Sequence, residues 1–284
     1  MEELNINSTT TSRFSTARWF GKIQTLSTTV IGLGGIGSYV AFLLSRLNVY
    51  QIDLFDGDRV EEVNLAGQLF SIKDINEFKT TAVQNLLKGY SNYYKINDYA
   101  TFFNINHYCN SFTFCGLDNM EARTLAFKSW LNNSRENGIF IDGRLSAEEF
   151  QIFAIQKNDT ERIKEYQNNW LFSDLEADAT ICSYKQTSFV AMNIASIMVN
   201  IFVNYVYNLS VKKDIRCVPF HTEFEGSILD LNIIEHKIHT SELDELNIST
   251  LCSPYPIPDL VPKPIPSESS TPALQEPILQ ELNT

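Results

Sequence analysis

The sequence predicts an α/β fold: a doubly wound, mostly parallel sheet with an antiparallel extension. Three observations carry this expectation. Short apolar runs alternate with helical patterns from residue 28 onward. The first run, Thr28 to Leu33 (TTVIGL), opens into glycines and then a helical pattern, Gly34 to Leu47. The second run, Tyr50 to Phe55 (YQIDLF), ends on Asp56. Continuous apolar runs suit strands covered on both faces, and strands joined through helices return parallel to one another.

The other elements follow in chain order. Residues 1 to 12 are polar and rich in Ser, Thr and Asn, so they read as a loose lead. Residues 13 to 27 read as a helix with Phe14, Trp19, Phe20, Ile23 and Leu26 on one apolar face. Lys79 to Tyr90 is a helical pattern, and Lys95 to Phe103 holds a further strand. Ser111 to Cys115 is a short strand, Glu121 to Asn132 a helix, and Gly138 to Ile141 a strand ending in Asp142-Gly143-Arg144. Phe150 to Ile155 reads as an antiparallel strand. Phe189 to Val206 is long enough to cross a bilayer, but Asn193, Asn200 and Asn204 share one helical face, which suits a helix packed on a sheet. Eight of the nine prolines fall between Ser253 and Thr284. Such a stretch builds neither ladder nor core, so the chain divides into a domain over 1–252 and a Pro-rich tail, polyproline-like or disordered, over 253–284.

Composition narrows the function. The 284 residues carry a net charge of −12, which argues against nucleic acid, since phosphate contacts need clustered Lys and Arg. No membrane partner is expected. Five scattered cysteines (109, 115, 182, 217, 252) are not a disulfide framework, and without a C-x-x-C pair no zinc is expected. With no basic flank and apolar stretch at the start to act as a signal, the expected location is a reducing cytoplasm.

Gly32-Leu33-Gly34-Gly35-Ile36-Gly37 is a G-x-G-x-x-G between strand and helix. Glycines there allow a tight turn and close approach of backbone to phosphate, and the helix N-terminus presents free N–H groups to the anion. Asp56 stands at the end of the next strand, nineteen residues past Gly37, where a carboxylate reaches a ribose hydroxyl. The pattern predicts a Rossmann-like nucleotide site without separating NAD from ATP.

Further motifs separate them. VIGLGGIGS, LFDGDRVEEVNLAGQ, FKTTAV and GLDNMEAR, in this order and spacing, resemble the ThiF/MoeB/HesA family of adenylyltransferases, relatives of ubiquitin-activating enzymes. The resemblance runs from about Ser27 to Phe127 and continues weakly to about Tyr207. It implies that Asp56, with Asp58 beside it, holds the ribose of ATP, that Asn64 and Gln68 line the phosphate path, that Lys79 neutralises the triphosphate, and that Asp118 ligates Mg²⁺. Gly67 stands where the family's Asn-Leu-x-Arg-Gln motif carries Arg; Arg144, Arg13 and Arg18 are the candidates to compensate. Cys182, before the long apolar helix, matches a family cysteine that in some members accepts the activated acyl group. The substrate implied is the C-terminus of a ubiquitin-like or small carrier protein, handled by a homodimer. A dehydrogenase would explain the glycine turn and Asp56 but leave Asn64, Gln68, Lys79 and Asp118 without a role. A catalytically lapsed adaptor would make the Pro-rich tail the working part.

Overall fold

The structure, a computed structural model, describes residues 11–91, 93–172 and 186–234. Its strands are β1 (Ser27–Ile31), β2 (Gln51–Phe55), β3 (Ile96–Tyr99), β4 (Phe112–Cys115), β5 (Ile139–Ser146), β6 (Glu149–Gln156), β7 (His221–Glu225) and β8 (Asp230–Ile234). They form one sheet in the order β3-β2-β1-β4-β5-β6-β7-β8. The first five pair in parallel, and β5 through β8 pair antiparallel. This is the expected α/β architecture.

The helices are α1 (Phe20–Ile23), α2 (Gly35–Arg46), α3 (Lys79–Ser91), α4 (Met120–Asn133), α5 (Thr160–Glu165) and α6 (Ser188–Asn208). Alternate residues of each strand feed two cores. Val30, Ile52, Leu54, Phe114 and Ile141 join one with residues of α2, α3 and α6. Ile31, Phe55, Cys115, Phe140 and Phe153 join the other with Phe127 and Trp130 of α4. Both faces are therefore covered, which is why the strands read as unbroken apolar runs.

The helix α6 has the length and hydropathy of a membrane span, yet 56% of its most apolar window is buried within the protein. It packs on β5, where Gly143 gives it room: a Cβ there would stand 2.7 Å from Met198 Sδ. On the polar face, Asn204 serves the fold, its Nδ2 donating to the Cys217 carbonyl at 2.9 Å, and Asn200 is exposed.

Three expectations need correction. Residues 13–27 do not form one helix. Tight turns (Phe14 N–H to Thr11 O, Ala17 N–H to Phe14 O, Phe20 N–H to Ala17 O) lead into the four-residue α1. Ser12, Ser15 and Thr16 are weak helix formers, and the Ser15 hydroxyl bonds back to the Ser12 carbonyl. Asp142-Gly143-Arg144 lies inside β5, which runs on to Ser146 because β6 pairs with its whole length. The elements α5, β7 and β8 were not anticipated; β8 is almost wholly exposed, with Leu231 and Ile233 alternating with Asp230 and Asn232. The Pro-rich tail lies outside the described residues.

Candidate functional site

After β1 the chain leaves on one side to β2 and β3, then returns to the other side of β1 as β4. Where the order reverses, the carboxyl ends of β1 and β4 open a crevice, the place where open α/β sheets bind ligands. Three turns meet there.

The glycine turn follows β1. Gly32 adopts φ +81°, and a Cβ on it would lie 2.9 Å from the Gly116 carbonyl oxygen, beyond β4. A Cβ on Gly37 would overlap the Gly32 carbonyl oxygen. These two glycines shape the turn itself. Gly34 caps α2, and a Cβ there would make only an ordinary contact, 3.8 Å, with Gln68 Nε2. Ile36 is buried in the core, so only its backbone can serve a ligand. The Ser38 hydroxyl ties the turn to the facing segment, donating to Gly34 O and accepting from Leu69 N–H.

The second turn follows β2. Asp56 accepts from Leu33 N–H at 2.7 Å and from Asp58 N–H at 2.8 Å, so its carboxylate braces the glycine turn from below. Burial pushes its carboxyl above the ordinary range, against the opposing pull of Lys79 and the two N–H groups. The chain then doubles back, bridging Arg59 to Phe78, which delivers Lys79 at the start of α3 beside Asp58. Lys79 is 8% exposed, and its Nζ reaches Asp58 Oδ2 at 2.8 Å. Asn64 closes a 3-10 turn by accepting from Glu61 N–H, so its carbonyl oxygen has a local task. Gln68 Oε1 is buried without a hydrogen-bond partner among the described residues.

The third turn, Gly116 to Asn119, follows β4. Asn119 caps α4, accepting from Ala122 N–H at 2.8 Å. Asp118 is exposed beside it. Arg123, 4% exposed, holds this turn from beneath by donating to the Leu117 carbonyl and to Asp142. Arg123 and Asp142 were not singled out from sequence; only the position of Arg123 within GLDNMEAR hinted at a role.

Arg144 donates to Asp142 Oδ2 at 2.9 Å and to the Trp170 carbonyl at 2.8 Å, and lies 4.6 Å over the Phe153 ring. Tyr166 also donates to Asp142, and burial pushes its phenol up to about 12. Arg144 is thus anchored by a buried carboxylate and aromatic rings. Arg13 and Arg18 are exposed on the turns before α1. Cys182 lies outside the described residues. Burial raises the thiols of Cys109 and Cys115, as suits inert core residues.

A glycine-lined helix terminus and a buried lysine suit a polyphosphate; exposed Asp118 offers a carboxylate to Mg²⁺, and no group of three His, Cys, Asp or Glu that could hold a metal occurs among the described residues. Fold and site define an α/β protein with a glycine turn at the switch point of its parallel sheet. The sequence model of the ThiF family matches residues 10–247, and the chain belongs to that family.

Among solved structures, E. coli MccB with MccA-N7isoASN aligns with a TM-score of 0.59 at 15% identity, over 76% of this chain and 66% of that one. E. coli MccB with ATP aligns at 0.55 and 16%, over 76% and 65%. These likenesses concern the fold. The ubiquitin-like modifier-activating enzyme 5 of Dictyostelium discoideum is 38% identical over 68 residues, which is 24% of this chain but only 18% of that protein.

Proposed function

We propose that this chain adenylates a carboxylate with ATP and Mg²⁺, the acceptor being the C-terminus of a ubiquitin-like protein, small carrier or peptide. The observation that supports the reading is that, in a ThiF-family chain, the glycine turn touches Gly116 of the turn bearing Asp118 and is braced by Asp56, whose neighbour Asp58 pairs with buried Lys79. MccB, similar in fold, has been solved with ATP and with MccA.

In the reaction a carboxylate oxygen attacks the α-phosphorus, the new O–P bond forms, the bond to the β-phosphate oxygen breaks, and pyrophosphate leaves. Anion approaches anion, so the site must cancel charge and hold the groups in line. Asp56 accepts from a ribose hydroxyl while staying bonded to the glycine turn. The α2 N-terminus and Lys79 take the phosphates; Asp58 keeps Lys79 oriented until they arrive. Asp118 would hold Mg²⁺, which supplies neutralising charge at the phosphates when bound. Arg123 fixes the turn that carries Asp118, and Arg144, through Asp142, supports that arrangement. Transfer of the acyl group to Cys182, a homodimeric assembly, a cytoplasmic location and a partner-binding role for residues 253–284 complete the proposal.

Pyrophosphate exchange with labelled ATP, Mg²⁺ and candidate carboxylates tests it. Lys79→Ala should lower exchange by about 3 kcal/mol of transition-state stabilisation, and Asp118→Ala should abolish exchange. Preferential binding of nicotinamide dinucleotide, or full exchange by Asp118→Ala, would overturn the assignment.

A further inference from the structure

Gly67 has no side chain and is nevertheless buried, because Gln186 covers it. Gln186 arrives from far along the chain, bridged to Ala147 just past β5. Its side chain lies across two glycines at once. A Cβ on Gly35, the first residue of α2, would overlap Gln186 Oε1 and stand 3.3 Å from its Nε2. A Cβ on Gly67 would stand 3.0 Å from both Cγ and Nε2 of the same residue.

A primary amide is therefore wedged over the N-terminus of α2, between the glycine turn and the segment that carries Asn64 and Gln68. Any side chain at position 67 would have to cross the space it fills. A helix N-terminus beside a glycine turn is an anion seat; the amide sets its oxygen over Gly35 and its Nε2, the donor, against Gly67 at the edge of that seat.

Resting on the adenylation reading, we infer that Gln186 is a phosphate-contact residue of this crevice. Its Nε2 donates to an oxygen of the nucleotide's triphosphate, supplying from position 186 the donor that Gly67 lacks. The two glycines are the clearance the amide needs, so Gly35, Gly67 and Gln186 form one device. Atoms nearer the ribose are served by Asp56 and do not depend on it.

Calorimetric titration of the full chain with Mg-ATP and with adenosine tests the inference. Gln186→Ala should weaken Mg-ATP by about ten- to a hundredfold, the range for a hydrogen bond to a charged group, and leave adenosine unchanged. Gly67→Ala, whose methyl pushes the amide aside, should weaken Mg-ATP several-fold in the native background and add nothing to Gln186→Ala. If Gln186→Ala does not fold, Gly67→Ala decides by the same comparison of Mg-ATP with adenosine. Unchanged or tighter Mg-ATP binding in these variants, while Lys79→Ala weakens it, overturns the role of Gln186 alone. Failure of the native chain to bind Mg-ATP removes the adenylation reading and this inference with it.

Discussion

Asp56 combines two demands on one carboxylate. It braces the glycine turn through two backbone N–H groups and keeps lone pairs for a ribose. Burial holds its pKa above the ordinary carboxylate value. The folded chain therefore retains a proton that the unfolded chain has already released, and the stability this group confers declines as pH rises through that window. Nucleotide binding runs the other way, because the ionised form accepts the ribose hydroxyls better. Mg-ATP affinity should fall as pH drops through the raised pKa, at a higher pH than an exposed aspartate would give. Asp56→Asn should bind weakly and lack that acid limb; titrations across pH 4 to 7 (about the range for a perturbed carboxyl) would reveal it. At this scale the sequence was legible where partners are close. The turn, Asp56 and Lys79 sit within about fifty residues of one another, and strand-end spacing locates them. Gln186 was not legible: it meets Gly35 and Gly67 only after more than a hundred residues of intervening chain, and glutamine at a helix approach carries no signal of its own.

Elements meet at the site through contacts that tolerate no added atom. The glycine turn and α2 are one piece, since Gly37 packs its backbone against Gly32. Gly37→Ala forces a methyl into a carbonyl oxygen that cannot yield, unlike a flexible side chain. It should cost at least ~3 kcal/mol, the upper range for overpacking, and lower the thermal midpoint accordingly. The link between α4 and β5 adds a buried ion pair to the packing of Phe127 and Trp130 on Phe140. Arg123 and Arg144 share the carboxylate of Asp142, buried at 0% exposure. Arg123→Met fills similar volume but frees the Leu117 carbonyl and half the pairing of Asp142. A loss of about 3 kcal/mol is expected, with a larger fall in exchange than in adenosine binding, because the turn bearing Asp118 loosens. Thermal unfolding and titration separate the two effects. Helices and strands with strong periods were readable to within a residue or two, as for α3 and α4. The N-terminal helix was misread because apolar spacing was weighted above the poor helix propensity of Ser12, Ser15 and Thr16.

Across the whole molecule, β5 is the seam. It pairs parallel with β4 and antiparallel with β6, so the parallel half and the β6–β8 half share one strand. The parallel half was foreseeable from alternating patterns; β7 and β8, five residues each, give patterns too brief to stand out, even though Leu231 and Ile233 alternate along β8. The division of the chain at residue 252 yields a prediction here. A chain ending at residue 252 should keep its thermal midpoint and pyrophosphate exchange and lose only partner capture.

The paired arginines around Asp142 have a further consequence. The protein carries a charge of −12, so a polyanion diffusing toward it climbs a repulsive field. Two guanidinium groups on a single carboxylate leave surplus positive charge locked beneath the crevice. The approach is uphill, and these guanidinium groups with Lys79 offset the carboxylates of Asp58 and Asp118 at its end. Added salt, by screening the distant repulsion more than the short contacts within, should quicken nucleotide capture at low ionic strength, the reverse of what a basic phosphate-binding protein shows.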